Sequence, residues 1–178
     1  MPTTHHLFTV TRWLLRIAIG CCFLLIAVLA LAMGALELAA AGLFHLPIPP
    51  SEMHGLTLPQ ILAAASLAIG GGVICIALAA WIFILTLRII DTASTGDPFV
   101  TVNADRLNHI ACLLLVIQLV GFTVDALMNL FPPSITENVS VGYDGFSAAG
   151  VLAALLIFVL AQIFRRGSEM RAELEGTI

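Results

Sequence analysis

Three polar side chains interrupt apolar stretches in which polarity is expensive: Glu37, Gln118 and Asp125. In hydrocarbon a carboxyl or an amide must be paired, hydrated or neutralised, so these residues are the first candidates for an intramembrane ion or ligand path. Glu37 and Asp125, with Asn129 one turn above the latter, would face a shared outward cavity. Asp125 lies about 27 Å along its helix from Leu107, near the end of the apolar run. The plainer alternative is that both acids simply reach the wet interface. Gln118 falls near the middle of its run. Its amide would bond to a neighbouring helix, a contact worth about 0.6–2 kcal/mol in membranes, or would line a path.

Other chemistry is less well supported. His45 and His54, with Glu37 and Glu52, combine the imidazole and carboxylate groups that zinc accepts. Pro47, Pro49 and Pro50 lie between the histidines, however, so no helical face aligns them. Solvated loop histidines are the better reading, and no metal is expected. Cys21, Cys22, Cys75 and Cys112 all sit in apolar runs without paired ligand spacing, where cysteine behaves as a small hydrophobe. No nucleophile–base–acid arrangement, phosphate-cradling glycine loop or HExxH pair is present, so neither enzymatic activity nor a cofactor is expected.

The elements that must position these groups follow from composition. Of 178 residues, 60% are hydrophobic and 10% charged, with a mean hydropathy of +1.08. Soluble domains carry roughly 25% charged residues. Lipid must therefore be the solvent for much of the chain. The expectation is an all-α integral membrane four-helix bundle, one domain over residues 1–178. The spans cover about 17–41, 58–88, 105–131 and 146–165, with a tail at 166–178. Residues 1–11 read as a disordered lead-in. The first apolar run is longer than that of a cleaved signal peptide, so it is expected to be a retained span. Gly42 is a helix stop. Thr57-Leu58-Pro59-Gln60 is a helix start, with Thr57 as cap and Gln60 reaching back. Ala64, Ala68 and Gly72, with Ser66 and Gly70 offset by two, stripe the second span with small residues. Such spacing favours tight packing inside the bundle; a homodimer seam or a hinge at Gly70-Gly71-Gly72 is the alternative. The residues from Ser134 to Gly145 read as a short polar loop.

Arginine placement orients the spans. The chain has no lysine, and its seven arginines lie before the first span, between the second and third, and after the fourth. The outer loops are short and acidic, carrying Glu52, Glu137 and Asp144. The positive-inside rule then puts both termini and the central segment in the cytoplasm. No basic stripe interleaved with aromatics exists, so direct nucleic-acid binding is not expected. An arginine precedes both the first and the third spans, at Arg16 and Arg106, but this alone is a thin basis for an internal repeat.

The central segment, Arg88 to Arg106, is the longest polar interruption. Gly96 would end one helix, while Asp97 and Pro98 would cap and begin the next. Asn103 offers a second, later cap. Phe99 would tuck under the bundle. In the tail, Phe164, Met170 and Leu174 form part of one apolar face, and Arg171 and Glu175 pair at i,i+4 on another. This describes an amphipathic cytoplasmic helix that either extends into water or docks on something.

Gly96-Asp97-Pro98-Phe99 followed by Asn103, Arg106 and Leu107, together with Phe164-Arg165-Arg166-Gly167 and the closing Leu174-Glu175-Gly176-Thr177-Ile178, resembles a family of small bacterial inner-membrane proteins of unknown function. The resemblance implies four helices and a multi-pass protein of the bacterial cytoplasmic membrane. It also implies gene neighbourhoods that often include a small helix-turn-helix regulator. A membrane signalling or sequestering partner of that regulator is the resulting functional expectation. Its candidate interaction surface is Gly96, Asp97, Pro98, Phe99, Asn103, Arg106, Arg165, Arg166, Met170 and Leu174. The alternative is a small transporter, channel or export accessory built on Glu37, Gln118 and Asp125, which would need a homo-oligomer. A lipid-binding protein or membrane enzyme is a third reading, without a catalytic constellation behind it.

Overall fold

The computed structural model describes residues 2–43, 57–94, 99–136 and 147–175. Five helices follow in order: α1 Pro2–Ala40, α2 Leu58–Ser94, α3 Thr101–Met128, α4 Pro133–Thr136 and α5 Ala148–Glu175. All but α4 are long and apolar enough to cross a membrane. The chain is a helical bundle and a multi-pass membrane protein. The four long helices fall on the four apolar runs, and each extends at one end beyond the span expected there. The second continues to Ser94, the third begins at Thr101, and the fourth runs unbroken into the tail as far as Glu175.

The N-terminus departs from expectation. Residues 2–11 are helical rather than a disordered lead-in. The physical reason is propagation: once the apolar run nucleates a helix, each added residue gains a hydrogen bond. Nothing between Thr3 and Ile17 breaks a helix, and Pro2 falls in the first turn, where proline is tolerated. At the other end α1 stops at Gly42, which has a φ of +71°. Leu43 N–H donates to the Leu38 carbonyl and Gly42 N–H to the Ala39 carbonyl, each at 3.0 Å. This is the paired 6→1 and 5→2 closure that a left-handed glycine permits. The start of α2 also matches its sequence signal. Gln60 Oε1 accepts from Thr57 N–H at 3.0 Å and from the Thr57 hydroxyl at 2.9 Å.

Contacts divide the chain into two compact units. The first comprises Met1–Cys22, Leu78–Ile117 and Ala148–Ile178; the second comprises Phe23–Ala77 and Gln118–Ser147. Alanine recurs in the interior of each, beside a few larger residues such as Leu62, Leu85 and Ile110. In the first, Ala80, Ala104, Ala111, Ala154 and Ala161 are buried, while Leu14, Trp81, Leu155 and Leu156 face outward. In the second, Ala64, Ala68, Val124, Met128 and Ile135 form the core, with Leu67, Val120 and Phe131 against it. Small residues inside and large ones outside is the pattern expected where lipid tails are as apolar as leucine. Helices there associate by close approach rather than by hiding hydrophobic surface.

Two details of the second unit were not legible in advance. Ile135, within the stretch read as a polar loop, is buried on the one-turn helix α4 and closes the core. A close approach between α2 and α3 falls on Gly71: a β-carbon there would lie 2.5 Å from Val124 Cγ2. Ala64, Ala68 and Gly71 thus share one face of α2, at the i, i+4, i+7 spacing.

Gly71→Ala is therefore expected to destabilise the protein by about 1 kcal/mol, because overpacking outweighs the helix propensity gained. In a Val124→Ala background the remaining neighbour is Val124 Cβ at 3.6 Å, an ordinary contact. There the same substitution should become stabilising. Unfolding of the four proteins in detergent checks the reversal of sign.

Candidate functional site

The polar residues of the first unit converge where α2 ends and α3 begins. Asn103 is the central one. It lies in the first turn of α3, its N–H bonded to the Val100 carbonyl at 2.9 Å, and its side chain is 0% exposed. Its Oδ1 accepts two hydrogen bonds, from Thr92 Oγ1 at 2.9 Å and from Arg106 Nη1 at 2.9 Å. Arg106 Nη1 also donates to the Arg88 carbonyl at 3.0 Å. A cation thus sits beside a carbonyl near the C-terminus of α2, the favourable end of the helix dipole. Asn103 is not a later helix start: α3 runs through it, and the side chain is used across helices.

Around this centre lie two ion pairs. Arg12 Nε of α1 is 2.8 Å from Asp91 Oδ1 of α2. Its N–H is not aimed at that oxygen, so the contact is ionic rather than a formed hydrogen bond. Arg12 Nη2 donates to Ser94 Oγ. Arg165 Nη2 of α5 is 2.6 Å from Asp105 Oδ1 of α3. Both partners of the latter are about half exposed, which keeps its contribution under about 1 kcal/mol. His109 Nδ1 lies 2.8 Å from the Asp105 carbonyl and carries the proton there.

Phe99, just ahead of α3, reaches the tail. Its ring centroid is 5.0 Å from that of Phe164, with the planes at 34°, within the range of attractive aromatic pairs. A β-carbon at Gly167 would lie 3.2 Å from Phe99 Cδ1. The glycine of Phe164-Arg165-Arg166-Gly167 therefore leaves room for the ring. Phe99 remains 43% exposed. Val102, Met170 and Leu174 are exposed large apolar residues of the same unit, and Arg165 and Arg166 are exposed too. Gly96, Asp97 and Pro98 lie outside the described residues.

The candidate intramembrane residues belong to the second unit. Gln118 Oε1 accepts from the Ser147 N–H at 3.1 Å, immediately ahead of α5. The amide thus bonds not to the side of a neighbouring helix but to its start, where N–H groups have no intrahelical acceptor. Glu37 is exposed and lines a cavity of about 300 Å³ with Leu36, Ala39, Leu58, Leu62 and Ser66. Asp125 is half-buried on α3 and is not among that cavity's lining residues. Gln118 is likewise not among the residues that line this cavity. His45, Glu52 and His54 lie outside the described residues. All four cysteines are free thiols. Among the described residues no group of three or more His, Cys, Asp and Glu is placed to hold a metal.

Sequence reasoning overlooked Thr92, Arg12 and Asp91. Their only signal was polarity at the ends of apolar runs, which is also what an idle interface residue shows.

Residues 45–178 match the family described as "Protein of unknown function (DUF2975)", and the chain belongs to it. No curated protein and no solved structure matches the chain.

Asn103→Ala removes the acceptor shared by Thr92 and Arg106 and is expected to cost about 3 kcal/mol. Asn103→Asp, which keeps an oxygen facing Arg106, should cost less; denaturation midpoints in detergent rank the two. Gln118→Leu leaves the Ser147 N–H without its acceptor and is expected to cost about 1–2 kcal/mol. Amide hydrogen exchange at Ser147 should rise more than at residues in the middle of α5.

Proposed function

We infer that this family member is a bacterial inner-membrane protein with both termini in the cytoplasm, and that its cytoplasmic face docks a soluble regulator. The arginine distribution supports the orientation, since every basic residue falls at the same side of the four spans. The observation that carries the docking reading is the contact of Phe99 with Phe164 and Gly167. It joins the central segment and the tail into one surface, on which Phe99, Val102, Met170 and Leu174 stay exposed. Exposed apolar side chains beyond a membrane-spanning run have no lipid to bury them, and groups of them favour protein partners. The resemblance that places such genes beside a small helix-turn-helix regulator names the class of partner.

The transport alternative has less support. Gln118 already bonds the amide ahead of α5, and Asp125 is not among the residues that line the described cavity at Glu37.

Phe99 is a poor residue on which to test docking, because its removal also unpacks Phe164. Val102→Glu, Met170→Glu and Leu174→Glu alter side chains that are already exposed. Each should lower co-purification of the neighbouring regulator at least about tenfold, without moving the thermal midpoint. Undiminished recovery of the regulator with all three variants would sink the reading.

A further inference from the structure

We propose that Arg16 and Arg88 form a clasp for the phosphate of an anionic phospholipid headgroup. The argument starts from the Arg12–Asp91 pair. Within the second unit a β-carbon at Gly70 would lie 3.6 Å from Met33 Cε, while Leu36, Ala39 and Ala40, farther along α1, line a cavity with Leu58 and Leu62, farther back along α2. The two helices are therefore antiparallel. A step forward along α1 is a step back along α2. Arg16 is four residues on from Arg12, and Arg88 is three residues before Asp91. Both intervals return to the same helical face. They advance about 6 Å and about 4.5 Å in the same direction. The register thereby sets Arg16 and Arg88 about one turn from the ion pair, at matching levels of the two helices.

Nothing described neutralises them. Both side chains are exposed, and neither makes a hydrogen bond or ion pair to another described residue. The carboxylates nearest in the fold are engaged elsewhere, Asp91 by Arg12 and Asp105 by Arg165. Glu169 and Glu173 lie on the far, C-terminal part of α5. Like charges brought side by side with no counter-ion among the described residues repel, so the arrangement favours an anion beside them.

Depth decides which anion. Arg16 immediately precedes the apolar run that begins at Ile17, and Arg88 immediately follows the one that ends at Leu87. Both therefore sit at the hydrocarbon boundary, where a bilayer presents its phosphates. Exposed Trp13, one turn from Arg16, is a residue type that favours the same layer. The planar guanidinium fork matches phosphate oxygens two at a time. A lipid bearing net negative charge is preferred to a zwitterionic one, whose choline offsets the phosphate.

The test uses the full chain in detergent micelles, titrated with phosphatidylglycerol, phosphatidylcholine or inorganic phosphate. The thermal midpoint and native mass spectrometry of retained lipid are the readouts. Phosphatidylglycerol should raise the midpoint and stay bound, and phosphatidylcholine should do neither. Apparent affinity should fall about fivefold for Arg16→Gln or Arg88→Gln and about thirtyfold for both together. Arg16→Lys with Arg88→Lys should lose less than the double glutamine variant, and Arg171→Gln should bind as wild type does. Equal effects of the two lipids on the wild-type protein would overturn the proposal, and that comparison needs no variant to fold. So would an undiminished response in the double glutamine variant, or an equal loss in Arg171→Gln. If inorganic phosphate displaces the lipid at matching concentration, the site takes free phosphate and the lipid assignment is wrong.

Discussion

Hydrocarbon does not hydrogen-bond, and most of this molecule can be understood as a response to that fact. Every backbone amide within the bilayer must find its partner inside the protein. Long helices do this for their own interiors, but their ends do not satisfy themselves. The chain meets the problem differently at each end. Gly42 folds the last carbonyls of α1 back on local N–H groups, Gln60 covers the start of α2, and Gln118 reaches from α3 to the amide ahead of α5. The same absence of a hydrophobic drive explains why alanine fills the interiors while leucine and phenylalanine face out.

The polar centre at Asn103 belongs to this logic but serves a different end. A fully buried amide whose oxygen takes two hydrogen bonds fixes the relative position of α2 and α3 more narrowly than apolar contact does. Phe99 leaves the chain just before α3 and lands on Phe164. The position of the tail is thus tied to the same junction that Asn103 holds. Phe99 of the central segment and Phe164 of the tail are 65 residues apart, yet the two stretches account for each other. One supplies a ring, and the other supplies a ring to meet it and a glycine to leave it room.

Features that depend on one stretch of chain were legible in the sequence. The four spans stand out because apolar runs of that length have few other uses. Gly42 and Thr57–Gln60 are local grammar, and local grammar held. The aromatic contact of central segment and tail was not legible in the sequence, which offered only the expectation of a shared side. What stayed hidden depends on how helices cross. A stripe of small residues marks a face of α2, but only the position of Val124 selects Gly71 from three consecutive glycines. Asn103 looked like a cap because asparagine often is one. Its side-chain partners are Arg106, one turn on, and Thr92, which reaches it only across the junction of two helices. Residues 2–11 looked unstructured because they lack periodicity, yet a helix already nucleated needs none to extend.

The attachment of α1 has one further consequence. Among its described residues only Ala39 is buried, so apolar packing grips this helix weakly along its length. The ion pair of Arg12 with Asp91 is partly open to solvent, with side-chain exposures of 31% and 50%. Interactions of that kind are screened over about 8 Å at physiological salt, whereas packing among alanines is indifferent to it. The hold on α1 should then loosen as electrolyte rises while α2 and α3 stay locked, making the first helix the part of the bundle that feels the ionic composition of its surroundings.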